Sequence, residues 1–132
     1  MPEPAKNPII LLAEDSELSA RIAIRTLEKA GYDVVHALNG RDAYEMAVDL
    51  QPDLVLMDVM MPQMDGLMSL RMIRTNKALA KTPVVMLTAL HDAIERCMST
   101  GATACVEKAE LHNNLIATVQ KYAPMPEGLA LS

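Results

Sequence analysis

Five side chains stand where they could act together on a phosphoryl group. Glu14 and Asp15 follow the apolar run Pro8–Ala13 (PIILLA), and Asp58 closes Asp53–Asp58 (DLVLMD). Thr88 closes Thr82–Thr88 (TPVVMLT), and Lys108 closes Ala104–Lys108 (ACVEK). Brought together, the carboxylates would repel, since two unit charges about 4 Å apart cost about 4 kcal/mol at an effective dielectric of about 20. Such a cluster calls for a compensating cation. Mg²⁺ suits it, being a hard ion that prefers carboxylate, carbonyl and water oxygens and works beside phosphates. A hydroxyl and a mobile ammonium at the same place complete a set able to stabilise a transferring phosphoryl group, with Asp58 as the nucleophile.

Taken singly, each residue has a plainer role. An acidic pair before a helix complements the helix dipole. Asp58 could cap a helix, Thr88 could be a strand-end hydroxyl, and Lys108 a surface cation. The joint placement at the carboxyl ends of four apolar runs of one chain is what favours a site.

The elements that must position these residues follow from periodicity. Pro8–Ala13 reads as a strand buried on both faces. Ser16 then caps a helix carrying Leu18, Ile22, Ala23, Leu27 and Ala30, which Gly31 stops. Asp33–Ala37 is a second strand, and Asn39–Gly40 opens a helix with Ala43, Met46, Ala47 and Leu50 that ends before Pro52. Asp53–Asp58 is a third strand, Asp65–Thr75 a third helix and Thr82–Thr88 a fourth strand. His91–Thr100 fits a helix stopped by Gly101, Ala104–Lys108 a fifth strand, and Leu111, Leu115, Ile116, Val119 and Tyr122 a last helix. Strict alternation predicts right-handed crossovers and an α/β, doubly wound parallel sheet of five strands, with the site at their carboxyl ends.

The 132 residues fit one domain, expected over residues 8–123 with residues 1–7 and 124–132 as flexible ends. At 51% hydrophobic and 22% charged, the composition is that of a folded globular chain. Acidic residues outnumber basic ones 17 to 12 and the basic ones are scattered, which argues against direct nucleic-acid binding. No stretch is long and apolar enough to span a bilayer, and the polar, proline-bearing start does not resemble a signal peptide. Cys97 and Cys105 lack metal-ligand spacing and read as free thiols in a reducing cytoplasm. His36, His91 and His112 also lack ligand spacing and read as bystanders, while Met46, Met57 and Met86 read as core filling. Neither a dinucleotide loop nor a nucleotide-binding P-loop is present.

The segment Asp58-Val-Met-Met-Pro-Gln-Met-Asp-Gly66 closely resembles the phosphorylation motif of two-component response regulator receivers. Leu12-Ala-Glu-Asp15, Leu87-Thr-Ala89 and the Gly101-Ala102 pair before Lys108 do so too. The resemblance spans about Pro8 to Ala123. It implies a flavodoxin-like sheet of order 2-1-3-4-5 and a phosphoryl group passed to Asp58 from a histidine kinase or phosphotransfer protein. It further implies Mg²⁺ held by Asp15, Asp58 and the Met60 backbone carbonyl, with Glu14 acting mainly through water. Lys108 and Thr88 would each bind a phosphoryl oxygen. The chain would then be a switch that assists its own modification more than an enzyme. It would act as a monomer or weak dimer and pass its state to an output protein.

Two positions depart from the family pattern. Ala109 follows the site lysine where proline is usual, so the peptide there is expected to be trans or strained. Cys105 stands where the family commonly has an aromatic rotamer switch. Two other readings stay open at this point. The first is the receiver portion of a longer regulator or hybrid kinase. The second is a small haloacid-dehalogenase-like phosphatase, although Glu14-Asp15-Ser16 lacks the Asp-x-Asp which that family needs after its first strand.

Overall fold

A computed structural model describes residues 6–89 and 93–126, without the side chains of residues 109–113. Five strands, β1 (Ile9–Ala13), β2 (Asp33–Ala37), β3 (Leu54–Asp58), β4 (Val84–Thr88) and β5 (Ala104–Glu107), form one sheet of order β2-β1-β3-β4-β5. Every pairing is parallel. Helices α1 (Glu17–Lys29), α2 (Gly40–Leu50), α3 (Gly66–Thr75), α4 (Ala93–Thr100) and α5 (Lys108–Tyr122) alternate with the strands. The doubly wound architecture and the strand order are those expected.

Each residue of β3 and β4 is buried, as continuous apolar runs in the middle of a covered parallel sheet must be. One core layer joins Leu11, Val55, Met57 and Met86 to Ala43 and Ala47 of α2, Leu70 and Ile73 of α3, and Cys97 of α4. The opposite layer sets Ile10, Leu12, Leu56 and Val85 against Ala20 and Leu27 of α1 and Leu115 and Val119 of α5. Met57 and Met86 are core residues, and Met46 packs half-buried beside them.

The caps read at Ser16 and Asn39 form, and Asp65, read as the first residue of the third helix, is its cap. Ser16, Asn39 and Asp65 each accept a hydrogen bond at a helix N-terminus, from the N–H groups of Ser19, Asp42 and Met68. Gly31 and Gly101 follow α1 and α4 at φ 99° and 115°, a backbone region that side chains with a Cβ rarely enter.

Four details differ from the sequence reading. On α1 the buried face runs through Ala20 and Leu27, whereas Leu18 and Ile22 stand 70% and 50% exposed. Both stripes satisfy helical spacing, and the sheet takes the one whose small Ala20 lets the helix approach. Lys108 is the first residue of α5 instead of the last of β5, because Glu107 is already an extended N-cap with no proline or glycine to delay the helix. A 3₁₀ turn at Lys77–Leu79, unforeseen from periodicity, joins α3 to β4. Beyond α5, Ala123 is buried and accepts a 2.9 Å hydrogen bond from the Tyr32 hydroxyl, and Met125 packs on Gly31. The chain is therefore fastened to the end of the body past residue 123. His91, at the start of the helix read as His91–Thr100, lies outside the described residues.

Candidate phosphoacceptor site

The carboxyl ends of β1 and β3 lie side by side, with Ala13 opposite Met57, so the next residues, Glu14 and Asp58, face one another. Carboxylate oxygens of Glu14, Asp15 and Asp58 all lie within 4.8 Å of one another. Asp58 and Glu14 are only 2% and 5% exposed, while Asp15 is open to solvent. Lys108, from the start of α5, donates from Nζ to Asp58 Oδ2 and stands 3.4 Å from Glu14 Oε2. Its cation offsets the two buried carboxylates. At this corner the structure brings together Glu14, Asp15, Asp58 and Lys108, four of the residues singled out in the sequence.

Thr88, the fifth, ends β4 beside Glu107, is 1% exposed and sits one strand from Asp58, whose register partner is Leu87. Met60 donates its N–H to Asp58 Oδ1 at 3.1 Å and is itself 67% exposed. Leu90, two residues after Thr88 as Met60 is two after Asp58, falls outside the described residues.

The loop from Asp58 to Gly66 is built on two glycines. A Cβ on Gly66 would meet the Asp58 carbonyl oxygen at 2.1 Å, and the Gly66 N–H donates to Val59 O at 2.9 Å. A Cβ on Gly40 would meet Met64 O at 2.1 Å, and the Gly40 N–H donates to that same oxygen at 3.0 Å. The start of α3 thus closes directly on the backbone of Asp58. That explains why glycine stands eight residues after Asp58, a spacing sequence reasoning could quote but not justify.

Burial pushes the Glu14 carboxyl above its ordinary value, the nearby Asp58 charge adds to the rise, and the Ser16 N–H and Lys108 oppose it. For Lys108 burial acts downward, but the hydrogen bond and charge of Asp58, followed by Glu14, outweigh it and hold the ammonium above its ordinary value. Both directions describe an acidic pocket that favours an added cation. The donor set, all oxygen and carboxylate-rich, fits a hard divalent ion such as Mg²⁺.

Cys105, in the place of the usual aromatic, packs with Cys97 of α4. Burial and thiol–thiol hydrogen bonding with Cys97 push its thiol up to about 12, so it behaves as a neutral apolar group. Among the described residues there is no cis peptide, so the bond from Lys108 to Ala109 is trans. Sequence reasoning missed two further contacts, one at the opposite edge of the sheet and one at the site. Arg74 donates to Gly101 O at 2.7 Å and to Thr82 O at 2.8 Å, tying α3 to the turns that precede β4 and β5. His36, read as a bystander, reaches the Glu14 backbone at 2.7 Å. Strand alternation puts His36 on the face that Glu14 uses, but nothing in the sequence announces the contact.

The fold and this corner define a doubly wound α/β protein with an acidic, lysine-bearing site at the carboxyl edge of its sheet. The family model described as "Response regulator receiver domain" matches residues 10–120, and the chain belongs to that family. It is 28% identical over 117 residues to the protein PilG of Pseudomonas aeruginosa, covering 87% of each chain. Its fold is similar to the chemotaxis response regulator CheY4 of Vibrio cholerae, with a TM-score of 0.82, 28% identity, and 89% and 99% of the two chains covered. It is likewise similar to the receiver domain of the sensor histidine kinase PA1611 of Pseudomonas aeruginosa, a structure with a magnesium ion coordinated in the active-site cleft. There the TM-score is 0.81 at 28% identity, over 89% and 98% of the chains. The chain is thus a response regulator receiver of two-component signalling. Among the described residues no helix is long and apolar enough to cross a membrane.

Proposed function

We propose that Asp58 accepts a phosphoryl group from a phosphohistidine on a histidine kinase or phosphotransfer protein in the cytoplasm, and that the modified protein signals to an output partner by contact. The observation that carries this reading is the Lys108 ammonium set between Asp58 and Glu14, with three carboxylates converging beside it. An Asp58 oxygen forms the new P–O bond as the bond from phosphorus to the donor nitrogen breaks, and the nitrogen leaves with that electron pair. Lys108 then follows the negative charge from the carboxylate to a phosphoryl oxygen. The Thr88 hydroxyl donates to another, and the Met60 N–H keeps the aspartate oriented. Asp15, Asp58 and the Met60 carbonyl would hold Mg²⁺, with Glu14 acting through water, and the bound ion would supply positive charge to the phosphoryl oxygens. Positioning and charge neutralisation provide most of the rate, so the receiver assists its own phosphorylation.

The readout runs through α4, Cys105 and α5, which adjoin Thr88 and Lys108. With Cys105 neutral and compact, the signal travels by backbone and helix displacement without an aromatic flip. The test is acetyl phosphate with Mg²⁺ followed by intact mass spectrometry. One phosphoryl group is expected on the parent and none on Asp58→Asn, and equal modification of both would overturn the assignment.

A further inference from the structure

β2 is an edge strand paired only with β1, and His36 lies one residue before its end, in register with Leu12. The half-buried ring turns across the end of β1, and Nε2 lies 2.7 Å from the backbone carbonyl oxygen of Glu14. A carbonyl only accepts, so the ring must donate and Nε2 must carry a proton. On its other side, the Glu14 N–H donates to Ala37 O at 3.0 Å. Glu14 is therefore gripped at both backbone groups by the last two residues of β2.

The Glu14 carbonyl belongs to the peptide plane that joins Glu14 to Asp15. Rotation of that plane would carry the Asp15 carboxylate away from Asp58 and turn the Glu14 backbone out of line. Asp15 is exposed, and with no packing to hold its approach its place depends on the backbone that carries it. Ser16 N–H donates to Glu14 Oε1 at 3.1 Å, which fixes the Glu14 side chain but leaves the plane itself to His36.

We propose that His36 is a positioning residue that sets divalent-cation affinity by locking the Glu14–Asp15 peptide, an inference that rests on the phosphoacceptor reading of this site. A group one step removed from a metal's ligands commonly changes affinity by about 10–100-fold when it is lost. His36→Leu keeps an apolar body of similar bulk without the donor, whereas His36→Gln keeps an N–H at comparable reach.

Mg²⁺ titration of the full chain by calorimetry separates the possibilities. His36→Leu should weaken Mg²⁺ binding about 10-fold while the metal-free protein melts within a few degrees of the parent, and His36→Gln should recover most of the loss. Mg²⁺ binding by His36→Leu as tight as the parent's would overturn the role of His36 while leaving the phosphoacceptor reading intact. No Mg²⁺ binding by the parent would overturn both. Should His36→Leu fail to fold, nitrogen NMR of the parent's imidazole ring decides: a protonated Nε2 agrees with the inference, and an unprotonated Nε2 contradicts it.

Discussion

The two halves of the sheet are built differently, although both contribute to one site. On the β2-β1-β3 side the functional groups are held by backbone: Asp58 by the Met60 N–H and by the close seat of Gly66, Glu14 by Ala37 and His36. On the β4-β5 side α5 starts without a side-chain cap and departs from helical geometry at Asn114 (φ −125°, ψ 23°). Lys108 is the strap between them, carried by the looser half and bound to the firmer one. With Asp58 as the proposed acceptor on fixed backbone and Lys108 as the proposed sensor of its charge on a less constrained helix, local chemistry can shift a distant surface.

The largest effect should come from disturbing the firm half. Gly66→Ala drives a Cβ to within 2.1 Å of the Asp58 carbonyl, so the loop or the strand end must move. The expected cost is at least the roughly 1–3 kcal/mol of overpacking, together with loss of phosphoryl uptake, read by urea denaturation and acetyl-phosphate labelling. Normal stability and labelling would mean that this loop is more compliant than its packing implies.

Cutting the strap comes next. Lys108→Met removes the cation shared by Asp58 and Glu14, which is also the group proposed to follow the phosphoryl charge. Uptake should fall about 100-fold, the usual loss when one charge-stabilising donor is removed, while far-ultraviolet circular dichroism stays that of the parent. A smaller, roughly 10-fold effect concerns lifetime. Two residues beyond Asp58 and Thr88 stand Met60 and Leu90, side-chain types that offer an attacking water no strong acceptor, so the mark should persist, and Met60→Asn with Leu90→Glu should shorten its decay by about that factor, or about 1.4 kcal/mol of barrier. Equal decay of parent and double variant in Mg²⁺ after removal of donor would exclude these two positions as the control.

The smallest effect reverses sign. Because burial holds the Glu14 carboxyl above its ordinary 4.5, the folded state binds that proton more readily than the unfolded chain does. The stability this contributes is present below about pH 4.5 and is lost as pH rises through the folded value. Glu14→Gln lacks that loss, so in chelator its melting temperature should exceed the parent's by a few degrees at neutral pH, with the gap shrinking toward pH 4. A parent more stable than the variant at pH 7 would show that the Lys108 pairing outweighs burial.

Much of this division was legible in the residues. Uninterrupted apolar runs specified β3 and β4, caps and glycines marked the helix ends, and carboxylates, threonine and lysine at run ends pointed to the site. Periodicity alone could not choose between two stripes of α1, since Leu18–Ile22 and Ala20–Leu27 both fit it and only helix–sheet approach distinguishes them. Nor could it find the grip of His36 on Glu14 or the seat of Gly66 on Asp58, which depend on side chains and backbone brought together across the fold. The start of α5 at Lys108 was hidden for a simpler reason: nothing in Val106–Ala109 breaks a strand or opens a helix by residue type.

Amide hydrogen exchange with and without beryllofluoride and Mg²⁺ tests the contrast between the halves most directly. Protection should change in α4, β5 and the first half of α5, while β1, β2 and β3 stay as they were apart from the Glu14–Ser16 and Asp58–Gly66 loops. A change concentrated in α1, β2 and α2, or no change in α4 and α5, would contradict the account.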